Sequence, residues 1–155
     1  MHTHVGVGLD YSHRGFRMTQ EFIKHYVDLS DDVPREARLG QTILLSGRVL
    51  NTKHPPKSVA VFYEPLPCPM TVVELNRTYS YGLPDDVEYE YPVSRPGRFY
   101  SDGSTGSLIT HADGRFECEV SFKRELRGLY TICLWLKGRG GHDILATHLT
   151  IRVRG

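Results

Sequence analysis

The stretch DGRFECEVSFKRELRGLYTICLWLK, residues 113–137, decides the fold. In its first half apolar and polar side chains alternate, which is typical of a β-strand with one buried and one solvated face. The apolar members of this half are Phe116, Cys118, Val120 and Phe122. In its second half, residues 128–136, apolar side chains occupy both parities, so this strand is predicted to be covered on both faces. We therefore expect a β-hairpin here, with its second strand at the centre of the domain.

The three cysteines lack the paired short spacings of a zinc ribbon or a disulfide framework, so three buried thiols are predicted. A bridge between Cys118 and Cys133 depends on the register of the predicted hairpin. With a four-residue loop at 124–127, the two cysteines face each other and can bond, since facing Cβ atoms lie ~4.5–5.5 Å apart. A slip of one residue places them on opposite faces, where they cannot bond.

The bulk properties of the chain exclude several classes of partner. The chain has 155 residues, with 19 basic and 18 acidic side chains and a net charge of +1. This length suits one full domain, and the balanced charge favours neither nucleic acid nor anionic lipid. No apolar run approaches the ~18 residues of a membrane helix, and the polar first residues do not resemble a signal peptide. We expect no nucleic-acid binding and no membrane insertion, and the location of this chain stays open.

Residues 1–26 are predicted to form a second, separate β-hairpin. A strand over residues 3–11, a turn at 12–15 and a strand from residue 16 to 22 or beyond are indicated. A two-stranded hairpin is marginal in water, so these strands are expected to join the sheet of the following domain or to belong to something missing. Pairing with another chain is the further interpretation, which makes a homo-oligomer through this hairpin possible.

The same hairpin carries a family resemblance. The runs HVGVG at residues 4–8 and FRMTQEF at residues 16–22 resemble the last two strands of a bacterial CAP domain. This superfamily comprises the cysteine-rich secretory proteins, antigen 5 and pathogenesis-related 1 proteins. Its cleft uses two histidines and two acidic residues upstream of the closing hairpin, so the resemblance carries no catalytic residue onto this chain. It implies the tail of a CAP domain followed by another module, in a parent protein that is secreted or in the cell envelope.

The rest of the chain predicts an all-β domain. Residues 27–37 are polar and contain Pro34, and we interpret them as a linker. Residues 38–155 contain about seven strands separated by turn signals, which is typical of an antiparallel immunoglobulin-like β-sandwich. Tyr130, two residues after Gly128, resembles the tyrosine corner of immunoglobulin-like domains, a fold-level likeness. In the first strand of this domain, Gly47 is predicted to mark a bulge.

No group of residues in the sequence has the spacing of a catalytic or metal site. Neither the pair His2 and His4 nor the group His142, Asp143 and His148 has the ligand count of a zinc site, so neither a metal nor a cofactor is predicted. The acidic residues at 85–90 indicate a solvated face rather than a calcium loop. The SDGSTG run at 101–106 indicates a turn rather than an anion cradle. No nucleophile lies in a recognisable elbow, so no enzyme is predicted.

A tyrosine-rich segment supplies the candidate ligand-binding residues. These rings lie close together in the sequence: Tyr79, Tyr81, Tyr89, Tyr91 and Tyr100. Amphipathic rings are used by adaptable binding surfaces and by platforms that stack on sugars. The alternation of tyrosine and glutamate at 88–91 fits equally an ordinary strand whose rings pack on a core. Both interpretations, packing and exposed recognition surface, stay open here.

These observations lead to one main hypothesis and two alternatives. The main hypothesis is a non-catalytic immunoglobulin-like accessory module of a CAP-domain protein, used for adhesion, spacing or ligand presentation. The first alternative is a carbohydrate-binding module that uses the segment 79–100. The second is an assembly protein that pairs strands through its N-terminal hairpin. The partner is therefore expected to be a protein or a glycan.

Overall fold

A computed structural model describes residues 4–75, 77 and 87–155. In these ranges the chain is almost entirely β-structure, with one turn of α-helix, α1, at Val72–Leu75 and one 3₁₀ turn at Arg139–Gly141. The strands are β1 His4–Ser12, β2 Gly15–Ile23, β3 Val27–Leu29, β4 Glu36–Arg38, β5 Thr42–Val49, β6 Pro56–Glu64, β7 Val87–Pro92, β8 Ile109–Thr110, β9 Arg115–Ser121, β10 Gly128–Lys137 and β11 Asp143–Arg154.

Two sheets form a sandwich around one core. The larger sheet has the order β4-β11-β10-β6-β7 and the smaller the order β3-β5-β9-β8. Neighbours are antiparallel except β4, which lies parallel to the end of β11. The core consists of fully buried side chains from both sheets and of Leu108, which precedes β8. The members from the sheets include Leu45, Val59, Val61, Phe116, Val120, Tyr130, Ile132, Leu134, Leu136, Ile151 and Val153. The predicted all-β antiparallel sandwich is confirmed.

The central position of β10 is confirmed, but the predicted hairpin of β9 with β10 is wrong. Strand β10 pairs with β11 and β6, and its side chains are buried or half-buried on both faces until Lys137. Strand β9 lies in the other sheet, between β5 and β8. Residues 122–127 therefore cross from one sheet to the other. Alternation shows which face of a strand is buried, but two strands that face one core from opposite sheets alternate in the same way.

The separation of β9 from β10 also excludes a disulfide bond between Cys118 and Cys133. Cys118 points into the core, whereas Cys133 lies on the outer face of β10 against Ala60 and Phe62. All three cysteines are free thiols. The prediction of three buried thiols holds for Cys118 and Cys133 and is wrong for Cys68, which is exposed. Burial raises the pKa of the Cys118 thiol to about 12 and that of the Cys133 thiol to about 11.

This arrangement predicts how the thiols react. The thiolate is the reactive form, so buried thiols with raised pKa values react slowly. In native protein at pH 8, a chromogenic disulfide reagent is expected to label Cys68 quickly and the other two thiols only after unfolding in urea. The Cys68→Ser variant is the control and should show no fast-reacting thiol. Fast labelling of a second thiol in native protein would contradict the burial described above.

The segment predicted as a linker is part of the sandwich. Within residues 27–37, Val27 and Ala37 are buried in the core. Strand β3 pairs with the end of β5, and β4 begins at Glu36 beside β11. The polar composition of the segment hid these short edge strands, because each buries only one or two side chains.

The predicted bulge at Gly47 is also wrong. Strand β5 pairs with β9 residue for residue from Thr42 to Arg48, without a bulge. Gly47 marks instead the place where β3 approaches closely. A Cβ atom at this position would lie 2.3 Å from the carbonyl oxygen of Asp28 and 3.1 Å from the ring of Phe116.

The N-terminal hairpin is confirmed as a pair of strands. Strands β1 and β2 form a two-stranded sheet of their own, in continuous register from His4 opposite Ile23 to Ser12 opposite Gly15. We call this element the ribbon. Every residue of the ribbon is exposed, and none belongs to the sandwich core. The ribbon therefore does not join either sheet of the sandwich.

Candidate interaction surfaces

The ribbon has one apolar face. In an antiparallel pair, directly opposed residues point to the same side, and the opposed pairs include Val5 with Phe22, Leu9 with Met18 and Tyr11 with Phe16. Seven large apolar side chains share this side, each more than half exposed: Val5, Val7, Leu9, Tyr11, Phe16, Met18 and Phe22. Gln20, opposite Val7, completes the side. We call it the apolar ribbon face.

The other side of the ribbon has a different character. It carries glycines at positions 6 and 8 and charged side chains, with Asp10 directly opposite Arg17 and Glu21 opposite Gly6. Such segregation is what a strand pair with one covered and one solvated face shows. Monomeric proteins rarely leave a contiguous apolar patch of this kind in water, so the apolar ribbon face is a candidate interaction site.

Both ends of the ribbon are tied by short-range contacts. At the tip, the rings of Tyr11 and Phe16 lie 5.1 Å apart, and the Ser12 hydroxyl accepts a hydrogen bond from the Arg14 amide at 3.2 Å. At the base, the rings of His4 and His25 are 5.3 Å apart, edge to face. The next residue, Tyr26, is half-buried against the sandwich core. The ribbon therefore projects from a fixed point on the sandwich.

A second candidate surface is a groove of about 360 Å³ on the sandwich. It lies where the ends of β6, β7 and β10 meet the loop that follows β7. The groove is lined by charged side chains and one aromatic ring. The residues that could contact a ligand through charge or stacking are Lys57, Glu90, Arg95, Tyr100, Asp102 and Lys137. The volume falls within the range of small-molecule sites.

The charges of the groove are only partly paired. Lys57 Nζ lies 2.5 Å from a carboxylate oxygen of Asp143, and this hydrogen bond raises the pKa of Lys57. The backbone amide of Ser104 donates to Asp102 at 2.9 Å and lowers the pKa of that carboxyl. Among the described residues, the side chains of Arg95 and Lys137 form no ion pair with a carboxylate. They are the cations that a bound anion can reach.

Tyr100 is the ring of this groove. Its hydroxyl donates to the carbonyl oxygen of Val93 at 2.9 Å, and the guanidinium of Arg95 lies 5.9 Å from the ring centroid. The Tyr100 amide donates to the Ser104 carbonyl at 2.8 Å and the Gly103 amide donates to the Tyr100 carbonyl at 2.9 Å, which confirms a turn within the predicted segment 101–106. The ring is half-buried and held in place.

The other candidate tyrosines do not form one surface with Tyr100. Tyr91 is 4% exposed and lies in the core, so the interpretation of its ring as exposed is wrong. Its hydroxyl donates to the Ser121 carbonyl at 3.0 Å and accepts from the Ser121 amide at 2.9 Å, which joins the two sheets. Tyr89 is half-buried, with its ring 4.7 Å from that of Tyr91. Tyr79 and Tyr81 lie outside the described residues.

The described residues contain no group of three or more His, Cys, Asp or Glu side chains placed to hold a metal ion. In the acidic segment, positions 85 and 86 lie outside the described residues, and the half-buried Glu88 accepts a hydrogen bond from the Arg124 amide at 2.6 Å. Burial raises the pKa of Glu88. The buried thiols of Cys118 and Cys133 are poor nucleophiles because their pKa values are raised.

Sequence reasoning named the N-terminal hairpin and Tyr100, but it missed the apolar face of the hairpin and the charged residues of the groove, for different reasons. The apolar ribbon face left a readable signal: apolar residues at odd positions from 5 to 11 and at even positions from 16 to 22, with the exception of position 20. The groove left none, because Lys57, Arg95 and Lys137 are far apart in the sequence and meet only through the fold.

Comparison with known proteins adds no assignment. No protein-family model matches the sequence, and no curated protein matches it. Over the part of the chain that the structure describes, no helix has the length and apolar character needed to cross a membrane.

Proposed function

We propose that this chain is a non-catalytic accessory module: an immunoglobulin-like sandwich that serves adhesion, spacing or ligand presentation and is attached through its ribbon. The observation that carries the proposal is the difference in exposure between the sandwich and the ribbon. In the sandwich, the thiols of Cys118 and Cys133 are buried and Tyr91 joins the two sheets by hydrogen bonds. The ribbon, by contrast, exposes an apolar side that a partner can cover.

Two resemblances support this proposal. The hydroxyl of Tyr130 donates to the carbonyl oxygen of Leu126 at 2.8 Å, four residues upstream, as in the tyrosine corner of immunoglobulin-like domains. The ribbon spans the residues that resemble the closing hairpin of a CAP domain, which supports a parent protein of that superfamily in the cell envelope or outside the cell. Both likenesses concern fold and context, and neither assigns a reaction.

The non-catalytic role is tested with activity assays on the purified chain. We expect no turnover of ester, peptide or nucleic-acid substrates above the background of a mock purification. An activity that follows the protein through purification and disappears with one substitution of a polar side chain would overturn the proposal.

A second candidate function is glycan binding in the groove. It is favoured because one groove is lined by the ring of Tyr100, whose hydroxyl is hydrogen-bonded, and by two cations, Arg95 and Lys137. Sugars bind by stacking on rings and by hydrogen bonds, and a sugar that carries a carboxylate also meets both cations. The chemistry therefore favours an acidic oligosaccharide over a neutral one.

This candidate predicts a specific loss of binding. A trisaccharide of galacturonic acid is expected to bind in calorimetric titration, and Arg95→Ala should weaken it about tenfold or more, since a charge-assisted hydrogen bond contributes about 1.5–3 kcal/mol. The matched control is Arg139→Ala, because Arg139 is an exposed arginine that does not line the groove. Equal binding by the two variants, or equal binding of a neutral trisaccharide, would contradict it.

A further inference from the structure

We propose that the apolar ribbon face is covered by the same face of a second copy of this chain. The inference rests on the proposed role of the ribbon in attachment and names a second copy of this chain, rather than the rest of a CAP-type domain, as the surface that covers the apolar ribbon face. In the resulting dimer, two ribbons stack face to face and two sandwiches project from the shared centre.

The size of the face fits a dimer interface. Each of its seven apolar side chains is more than half exposed. Half of a large apolar side chain amounts to about 100 Å², so the face offers about 700 Å². A standard stable interface buries about 800 Å² on each partner, and the largest apolar patch on a typical monomer is about 300–600 Å². The apolar ribbon face is therefore too large for an ordinary exposed patch and close to the size of half an interface.

The charge pattern favours a second copy over a charged partner. Seven of the eight side chains on the face are apolar and the eighth, Gln20, is neutral. Two such faces meet without opposing like charges, which is the condition for a self-complementary interface. The charged side chains Asp10, Arg17 and Glu21 point to the other side and stay in water.

The shape of the face fits its own copy as well. Along β1 the side chains grow in size, from Val5 and Val7 to Leu9 and Tyr11. Two ribbons that stack in opposite directions place the large end of one β1 over the small end of the other. Along the two β1 strands the space is then filled evenly, as close packing requires, and along the two β2 strands Phe16 lies over Phe22 and Met18 over Gln20. This arrangement is a closed two-fold dimer.

The sandwich of the same chain is not the occupant. All residues of the ribbon are exposed although the sandwich is present, and the sandwich core contains no ribbon residue. The remaining part of a CAP-type domain is the competing occupant, and the experiment below separates it from a second copy.

The test is the solution mass of the full chain by light scattering over a wide concentration range. We expect twice the 17.6 kDa of one chain. Leu9→Glu and Met18→Glu each place a charge on the apolar ribbon face and should weaken the dimer at least a hundredfold, leaving monomer. Thr19→Glu is the matched control, because Thr19 lies on the opposite side of the same strand, and it should stay dimeric.

The folding of the sandwich in each variant is checked with the single tryptophan, Trp135, on the central strand, and the folding of the ribbon is checked by hydrogen exchange of residues 4–23. A monomeric wild type would overturn the dimer and leave the competing occupant as the explanation of the face. A dimer that persists in Leu9→Glu and Met18→Glu, or that is lost equally in Thr19→Glu, would also overturn it. Hydrolytic activity, by contrast, would overturn the accessory role and leave the dimer untouched.

Discussion

Replacing Tyr130 by alanine is expected to lower the free energy of unfolding by about 4 kcal/mol, as is usual for a large ring removed from a core. Tyr130 is fully buried, and its ring centroid lies 4.7 Å from that of Phe122 and 5.1 Å from that of Tyr63. Alanine would leave a cavity where the sheet-to-sheet crossover meets the first residues of β10. The measurement is urea unfolding followed by the fluorescence of Trp135.

The Tyr130→Phe variant isolates the hydroxyl group. It keeps the ring and removes the hydrogen bond to the Leu126 carbonyl, so it should cost about 1 kcal/mol. If Tyr130→Ala lowered the free energy of unfolding no more than Tyr130→Phe does, the packing of the ring would contribute nothing to stability. That result would contradict the burial of Tyr130 in the core.

Gly47→Val is expected to lower the free energy of unfolding by about 3 kcal/mol, at the upper end for overpacking. The loss is large because the added side chain meets backbone atoms, which cannot move aside as a side chain can. The added Cβ would stand 2.3 Å from the Asp28 carbonyl and 3.1 Å from the Cα of Leu29, so β3 has to move away from β5. Urea unfolding measures the loss, and hydrogen exchange locates it. The amide of Ser30, which donates to the Ser46 carbonyl at 3.0 Å, should exchange faster.

A glycine with free space provides the control for Gly47. At Gly6 in the ribbon, the nearest atom to an added Cβ is 3.9 Å away, an ordinary contact distance. Gly6→Ala should therefore leave the stability of the sandwich unchanged. Glycine is a poor strand residue, so propensity alone would favour both replacements. An equal loss in both variants would therefore contradict the explanation from the close approach of β3.

The parts of the fold that follow from local periodicity could be predicted from the sequence. Apolar residues on both parities in 128–136 identified the central strand, and alternation around a turn identified the ribbon. The distant neighbour of β9 could not be predicted in this way. Strand β8 joins β9 through a local turn, but the pairing with β5 is decided by which side of the core each strand occupies, and that choice depends on the whole chain.

The candidate sites show the same limit. The cluster of tyrosines suggested one surface, but strand parity and loop geometry place Tyr91 in the core and Tyr100 in the groove. The cations of the groove come from two strands and a loop, so no spacing in the sequence connects them. The apolar ribbon face was predictable in principle, since a period of two extends over both of its strands.

The crossing of residues 122–127 from one sheet to the other has a consequence for folding kinetics. Because β9 cannot pair with β10, each strand has one local and one distant partner: β9 pairs with β8 and, at Ser121, with Thr42, whereas β10 pairs with β11 and, at Leu129, with Glu64. Closing such long loops is slow, and folds of this type form in milliseconds to seconds, whereas an isolated hairpin such as the ribbon forms in microseconds. Local hairpins such as the ribbon and β10–β11 are thus expected to form before the two sheets are complete, and the apolar side of the ribbon is exposed to other chains while the sandwich is still assembling.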